Sequence, residues 1–141
     1  MADFFDTFAI ASSGLSAERT RLTMIASNLA NARTTRTAEG GPYRRLLPSF
    51  EAEALDPFGQ ALDAASSRVK IGDVTRDTAP PRRVFDPTHP DAGADGFVAY
   101  PDINVMEEMV DMMTAQRAYD ANANVIEAAR TMAMTAIGIG K

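Results

Sequence analysis

A chain of 141 residues that is 45% hydrophobic can bury a core for one domain or two small ones, so wholesale disorder is not expected. Its net charge of −5 at pH 7 leaves no basic face to neutralise phosphates, which argues against nucleic acid as a partner. The absence of cysteine excludes a disulfide scaffold, a thiol nucleophile and a cysteine-based zinc site, and no apolar run is long enough to span a bilayer.

Residues 1–33 are predicted to form the first long helix, because no proline interrupts them and apolar side chains recur on one heptad frame. Ser12, Ser13 and Gly14 lower helix propensity, so a kink or a late start near residue 12 is expected. The first residues lack a basic segment and make a poor secretory leader, so the protein either stays in the cytoplasm or leaves by a route that removes no leader. The frame positions are Phe8, Ala11, Leu15, Leu22, Ile25, Leu29 and Ala32, with Glu18 as the polar exception.

The middle of the chain, residues 34–101, contains all eight prolines and shows no helical period. Short runs separated by proline and glycine turns predict β-strands, and residues 60–66 are expected to form a helical turn or a mobile loop. A segment of this size holds little core of its own, so we expect a small β-rich insert. The predicted strands are residues 43–47, 49–55, 68–74, 82–85 and 96–100.

Residues 102–141 are predicted to form the second and longer helix. Pro101 blocks extension backwards, Asn104 with Glu107 is typical of an N-cap and capping box, and the glycines of the last four residues are expected to end the helix. Two apolar stripes at alternating steps of three and four indicate that the helix needs several neighbours. The first stripe is the predicted seam with the other helix and contains Met109, Met112, Gln116, Tyr119, Ala123, Ile126, Arg130, Ala133 and Ile137. The second contains Met106, Val110, Met113, Val125, Ala129, Met132 and Ala136.

The predicted fold class is α+β, with a long antiparallel two-helix coiled coil from the terminal segments and the β-rich insert between them. An insert that leaves one helix and returns into the other makes the two helices antiparallel. Both chain ends are therefore expected at the same end of the helical hairpin. Segments 1–33 and 102–141 would form one domain, and segment 34–101 the other.

His89 is the only histidine and could form a metal set with Asp86 and Asp91. The prolines around it favour a turn in which polar side chains cap their own backbone. A metal site is therefore not expected.

Glu107, Glu108 and Asp111 form an acidic face at the start of the second helix. Paired carboxylates can do acid–base work in a cleft, but negative charge is favourable in the first turns of any helix. No nucleophile elbow, phosphate-binding loop or dinucleotide fingerprint occurs, so neither an enzyme nor a cofactor is expected.

Six methionines lie between Met106 and Met134. They either fill a core with adaptable side chains or let one helix fit several non-identical neighbours, and the excess of apolar surface favours the second interpretation. Asn28, flanked by Ile25 and Leu29, is either a polar residue that fixes the register of the helical seam or an exposed amide. Both interpretations of Asn28 remain open.

Several short segments resemble known signatures. Residues 13–19 (SGLSAER) followed by residues 25–32 (IASNLANA) resemble the N-terminal signature of bacterial flagellar rod and hook proteins. Further segments narrow the resemblance to the proximal-rod members of the flagella basal body rod protein family. These are residues 84–90 (VFDPTHP), 96–98 (GFV), 101–104 (PDIN), 108–112 (EMVDM) and 117–122 (RAYDAN).

The resemblance implies a structural subunit. Members of this family leave the cytoplasm through the flagellar type III export apparatus without leader cleavage. They polymerise with other rod proteins into the hollow drive shaft that crosses the periplasm inside the basal-body rings, without inserting into a membrane. Their paired terminal helices lie on the inner side around the export channel, and the central segment faces outward. In the free subunit the terminal helices are expected to be largely disordered, which suits the physics of helices that gain most of their stability from packing.

Register within the assembly is expected to come from polar residues. Arg117 with Asp111 or Asp120 would form one set, and Asn28 with Asn31 the other. The phenylalanines at positions 4, 5 and 8 form either an export or contact element or part of the helix core.

The predicted interface residues follow the apolar and polar positions of both helices. They are Phe8, Leu15, Leu22, Ile25, Asn28, Leu29, Asn31, Met109, Met112, Met113, Arg117, Tyr119, Asn122 and Ile126. The alternative function is a cytoplasmic coiled-coil adaptor or export chaperone, which would remain in the cytoplasm as a dimer rather than co-purify with basal bodies.

Overall fold

The computed structural model describes residues 2–54 and 67–139, with the side chains of residues 2–4 excepted. The elements in chain order are α1 (Ala2–Ala30), β1 (Leu46–Ala54), β2 (Ser67–Arg76), β3 (Arg82–Phe85), β4 (Phe97–Tyr100) and α2 (Val105–Ile139). Two helices and two small antiparallel sheets confirm the α+β fold class. The helical turn or loop expected at residues 60–66 lies outside the described residues.

Helix α1 is continuous from Ala2 to Ala30, so the predicted kink or late start near residue 12 is wrong. Ser13 remains helical with its hydroxyl donating to the Ile10 carbonyl at 2.7 Å. Gly14 lies so close to α2 that a Cβ there would come within 2.9 Å of the Asn122 side-chain nitrogen. The glycine therefore permits close approach of the two helices rather than breaking α1. The helix ends at Ala30 rather than at residue 33, and a turn follows.

The β1–β2 hairpin lies along α1. Its two strands pair antiparallel, with a register shift just beyond Pro48. At one end the Leu46 amide donates to the Asn28 side chain at 2.9 Å, and at the other the Val69 amide donates to the Ser13 hydroxyl at 3.1 Å. A bulge disturbs the pairing locally without ending the ladder, so the two strands predicted on either side of Pro48 are one strand.

Strands β3 and β4 form a second antiparallel pair, from Arg82 opposite Tyr100 to Phe85 opposite Phe97. The predicted strands at residues 82–85 and 96–100 are confirmed, apart from Gly96, which adopts φ of +75° in the connection. The two phenylalanine rings pack edge to face with centroids 5.3 Å apart. A Cβ on Gly96 would come within 2.7 Å of the Phe85 ring, so glycine is required there on two grounds.

Helix α2 begins where the sequence predicts. The Asn104 side chain accepts a hydrogen bond from the Met106 amide at 3.1 Å, which confirms the N-cap. The helix then continues through Gly138 to Ile139, the last residue described. Gly138 alone therefore does not end the helix, because a glycine in open solvent lowers helix propensity without blocking the next turn. Gly140, the other glycine expected to end it, lies outside the described residues.

The two helices lie antiparallel. Asn28 near the end of α1 contacts Glu108 near the start of α2, and Gly14, about half the length of α1 away, faces Asn122. At about 1.5 Å per residue the helices are roughly 40 and 50 Å long. With these contacts, they lie side by side along nearly the whole length of α1. Within the described residues, neither helix combines the length and apolar content needed to cross a membrane.

The face that α2 packs against its own chain differs from the predicted seam. The buried positions of α2 are Glu108, Ala115 and Ala129, one residue before the predicted Met109, Gln116 and Arg130, which are exposed. Other seam positions divide in the same way: Met112, Ala123, Ile126 and Ala133 are half-buried, whereas Tyr119 and Ile137 are exposed. Small alanines occupy this face because the helices approach closely, and a search for large apolar side chains therefore selects the adjacent rows.

The frame predicted for α1 is partly confirmed. Ala11 and Ile25 are buried, and the leucine positions Leu15, Leu22 and Leu29, with Ala32, are half-buried. Phe8 is exposed. Ala17 and Met24, outside the predicted frame, are also buried, because α2 and the β1–β2 hairpin cover two different sides of α1.

Candidate assembly interface

The helices and the insert meet at the amide of Asn28, which is only 2% exposed. Its oxygen accepts hydrogen bonds from the Leu46 amide at 2.9 Å and the Tyr43 hydroxyl at 3.1 Å. Its nitrogen donates to the Leu46 carbonyl at 3.1 Å and to Glu108 Oε2 at 3.2 Å. Of the two interpretations of Asn28, the exposed amide is wrong and the polar residue buried between helices is correct. Its effect on register stays a prediction.

Glu108 is buried beside Asn28, with 1% of its side chain exposed. Arg45, which leads into β1, donates from Nε to Glu108 Oε1 at 2.5 Å. A carboxylate is costly to bury unless a counter-charge and hydrogen bonds compensate it. The predicted acidic face is therefore divided: Glu107 is exposed, whereas the insert covers Glu108. We call Asn28, Tyr43, Arg45 and Glu108 the polar junction.

Further ion pairs extend from the polar junction along both helices. Asp111 lies 3.6 Å from Arg45 and 3.7 Å from Arg21, and Arg21 lies 3.9 Å from Glu18 on its own helix. Within one chain Asp111 pairs with Arg21 and Arg45 rather than with Arg117. The pairing of Arg117 with Asp111 or Asp120 in the assembly stays a prediction. Among the described residues Arg117 forms no ion pair, and it is exposed. These pairs are partly exposed, so each contributes at most about 1 kcal/mol.

The loop that follows β3 forms the self-capping turn predicted for it. The Asp86 carboxylate accepts hydrogen bonds from the Thr88 hydroxyl at 2.7 Å and the Thr88 amide at 3.1 Å. His89 Nδ1 accepts one from the Asp91 amide at 3.1 Å. Asp91 in turn accepts one from the Thr35 hydroxyl at 2.8 Å, which joins this loop to the segment after α1.

Replacing Thr88 with valine is expected to raise the pKa of Asp86. Hydrogen bonds from the Thr88 hydroxyl and then its amide hold the pKa of this carboxyl below its ordinary value, and valine removes the first. A lowered pKa in the folded chain means that the contribution to stability is complete above the ordinary pKa and is lost as the pH falls through the lowered one. Carboxyl-detected NMR titration measures the change. Asp95, whose pKa is lowered by the Phe97 amide, is the internal control and should titrate as before; an unchanged Asp86 titration would contradict the geometry.

A patch of large apolar side chains lies on the outer face of α2, opposite the packed face. Met106, Met109, Val110 and Met113 follow the i, i+3, i+4, i+7 spacing of one helix face and are 48–69% exposed. We call these four residues the methionine patch. Val125, Met132, Met134, Ile137 and Ile139 extend the exposed apolar surface along α2. Core filling is therefore wrong for five of the six methionines of α2, Met112 being half-buried.

The remaining predicted interface residues divide between buried and outer positions. The Asn31 side chain forms only local hydrogen bonds at the end of α1: it donates to the Ser27 carbonyl at 2.9 Å and accepts one from the Thr34 hydroxyl. Asn122 donates to the Ala118 carbonyl at 3.0 Å within α2. The structure therefore brings Asn28, but not Asn31, to the junction between elements. Whether any of the predicted residues contacts another subunit stays a prediction.

Sequence reasoning missed Arg45, Tyr43 and Ala115, and it placed Ala129 in the second apolar stripe rather than in the seam with α1. Arg45 and Tyr43 are in a loop whose partners are distant in sequence, so no local period marks them. The alanines carry a signal, since Ala115, Ala118, Ala129 and Ala133 recur on one side of α2. Within the described residues, no three histidine, aspartate or glutamate side chains cluster closely enough to hold a metal ion.

Two family models match the terminal parts of the chain. One, described as the flagella basal body rod protein, matches residues 8–36, which cover most of α1 and the turn after it. The other, described as the C-terminal part of the flagellar basal body rod FlgEFG protein, matches residues 94–139, which cover β4 and α2. The matched segments contain Asn28, Glu108 and the methionine patch.

Curated relatives extend the similarity over nearly the whole chain. The flagellar basal-body rod protein FlgC of Borreliella burgdorferi is 37% identical, over 96% of this chain and 96% of its own. The FlgC proteins of Bacillus subtilis and Escherichia coli are 36% and 38% identical, with at least 95% of each chain covered. These relatives are named as rod proteins rather than enzymes. Because the similarity spans both helices and the insert, the chain belongs to the FlgC group of flagellar basal-body rod proteins and is a structural component of the basal-body rod.

Proposed function

We propose that this rod subunit polymerises through α1 and α2, with itself and with other rod proteins, into a hollow shaft that transmits torque and encloses the export channel. Segments 1–33 and 102–141 form its inner coiled-coil domain, and segment 34–101 faces outward, towards the surrounding basal-body rings. Family membership implies assembly with other rod components. The observation that carries the proposal is the methionine patch, which leaves the outer face of α2 apolar.

The occupant of this surface is a helix of a neighbouring rod subunit. Soluble monomers rarely expose contiguous apolar area of this kind without a partner. Burying one Val or Met side chain contributes roughly 1.5–3 kcal/mol, so the four residues of the patch supply several kcal/mol at each contact. Flexible thioethers suit such a surface, because a subunit in a helical shaft meets neighbours that differ along its length.

The sparse core supports ordering on assembly. The buried apolar residues among those described are Ala11, Ala17, Met24, Ile25, Val98, Ala115 and Ala129. Alanines contribute little apolar area, whereas two helices of this length lose about 1–2 kcal/mol of backbone entropy for each residue ordered. Packing against neighbouring subunits supplies the missing stabilisation, so the terminal helices order when the subunit joins the rod.

Marginal order in the free subunit also suits its route to the assembly site. We propose that the subunit leaves the cytoplasm through the flagellar type III export apparatus without leader cleavage, and that the rod it joins crosses the periplasm. A chain whose long helices are not yet fixed passes through a narrow channel at little energetic cost.

Replacing Val110 with aspartate is expected to lower incorporation into the rod by about a hundredfold or more, because a charge would be buried against a neighbouring helix. A strain carrying only the variant should produce the subunit but lack it in purified basal bodies, and should not swim.

The matched control is Val74→Asp, which places the same charge on an exposed valine of β2 in the insert. This variant should still enter basal bodies. Normal swimming with Val110→Asp would contradict the proposal. A wild-type chain that fractionates only with the cytoplasm as a dimer would support the adaptor or chaperone instead.

A further inference from the structure

The chain has eight methionines and no cysteine, so all of its sulfur atoms are methionine thioethers. Oxidation by a hydroperoxide, which takes place at sulfur, is therefore confined to thioethers in this protein. Three of them, Met106, Met109 and Met113, lie together in the methionine patch and are about half or more exposed. They are exposed whether the helices of the free subunit are ordered or not.

We propose that the methionine patch is an oxidation site that controls assembly, a proposal that rests on the function proposed above. Hydrogen peroxide oxidises Met106, Met109 or Met113 of the unassembled subunit to the sulfoxide, and the oxidised subunit is excluded from the rod. Once incorporated, the same side chains are covered by the neighbouring helix and are protected from the oxidant.

The chemical step needs only the peroxide. A sulfur lone pair attacks one peroxide oxygen, an S–O bond forms as the O–O bond breaks, and the second oxygen leaves as water after proton transfer. Sulfur loses two electrons and the peroxide gains them. A thiol-dependent methionine sulfoxide reductase reverses the step, releasing water and leaving a disulfide on the reductant.

The sulfoxide changes the surface from apolar to polar. Its oxygen is a strong hydrogen-bond acceptor that requires a donor when it is buried. Met106 and Met109 have no donor side chain one helical turn away, because the positions three and four residues from each are apolar or carry the Asp102 carboxylate, which only accepts. Gln116 and Arg117 lie one turn beyond Met113, so the effect of oxidation rests on Met106 and Met109. One buried sulfoxide without a partner should weaken incorporation by about tenfold or more.

A peroxide pulse in growing cells tests the proposal. Subunits made during the pulse carry a heavy-isotope amino acid, and peptide mass spectrometry then measures sulfoxide at the patch in purified basal bodies and in the unassembled pool. The labelled subunits in basal bodies should contain at least about tenfold less patch sulfoxide than the unassembled pool. Equal sulfoxide content in the two pools would overturn the proposal.

Two leucine variants locate the site. The triple variant Met106→Leu, Met109→Leu, Met113→Leu removes the oxidisable sulfur from the patch, so peroxide should not lower its incorporation below the level that the same variant reaches without peroxide. The double variant Met132→Leu, Met134→Leu, which alters exposed methionines at the far end of α2, should remain as peroxide-sensitive as the wild type. Peroxide sensitivity of the triple variant equal to that of the wild type, or resistance of the double variant, would refute the assignment to the patch.

The failure of this inference is distinguishable from the failure of the proposed function. The Val110→Asp subunit could be excluded from rods without peroxide while subunits that carry sulfoxide at the patch are still incorporated. In that case the outer face of α2 assembles the rod, and only the proposed oxidation site is wrong. If Val110→Asp enters rods normally, the proposed use of the outer face of α2 is itself wrong.

Discussion

Replacing Arg45 with leucine is expected to lower the free energy of unfolding by about 3–5 kcal/mol, because Glu108 would remain buried without its counter-charge. In a subunit whose core is sparse, a loss of this size removes the ordered junction altogether. Urea unfolding followed by circular dichroism, in a fixed concentration of trimethylamine N-oxide that favours the folded state, measures the change. A strain carrying only this variant should not swim.

The double variant Arg45→Leu, Glu108→Leu separates charge from packing. Replacing a buried ion pair by apolar residues of similar volume is often neutral, so stability should return to within about 1 kcal/mol of the wild type. Asn28 keeps both bonds to Leu46 in this variant, and Asp111 keeps Arg21. A double variant as unstable as Arg45→Leu alone would show that the lost contact is steric rather than electrostatic.

Replacing Asn28 with aspartate is expected to cost about 3 kcal/mol or more. The change puts a second carboxylate where the Asn28 nitrogen now lies 3.2 Å from Glu108 Oε2, and it removes the donor to the Leu46 carbonyl. Both losses occur at a site that is 2% exposed, where water cannot compensate. The same unfolding measurement applies, with hydrogen exchange of the Leu46 amide as a local readout.

Asn31→Asp is the matched control, one turn further along the chain. Asn31 is half-buried and bonds only within its own turn, so the same substitution should cost about 1 kcal/mol or less. Equal losses at both positions would contradict the special role of Asn28. A larger loss at Asn31 would place the critical contact in the turn after α1 instead.

The fold follows from local signals wherever those signals are strong. Prolines bracket β3, and its predicted bounds, Arg82–Phe85, match the structure. Pro101 and the Asn104 cap fix the start of α2. At Gly14 the same kind of reasoning fails, because helix propensity cannot register that Asn122 lies against that position.

The contacts between elements were less predictable, because their partners are distant in sequence. Asn28 stood out as a polar residue among apolar neighbours, and the structure confirms its burial. The sequence places Glu108 on an acidic face but does not indicate its burial, since its counter-charge Arg45 is 63 positions away. The packed face of α2 lies one residue before the predicted seam. The prediction selects large side chains such as Met109 and Tyr119, whereas the close approach of the helices requires the small Ala115 and Ala129.

Hydrogen exchange of the α1 and α2 amides, measured on the purified subunit in dilute buffer and on purified basal bodies, tests most directly whether the terminal helices order on assembly. We expect most of these amides to exchange rapidly in the free subunit and to be strongly protected in the rod. A free subunit with slowly exchanging helices that melts cooperatively in dilute buffer, and shows no tendency to assemble, would contradict that account.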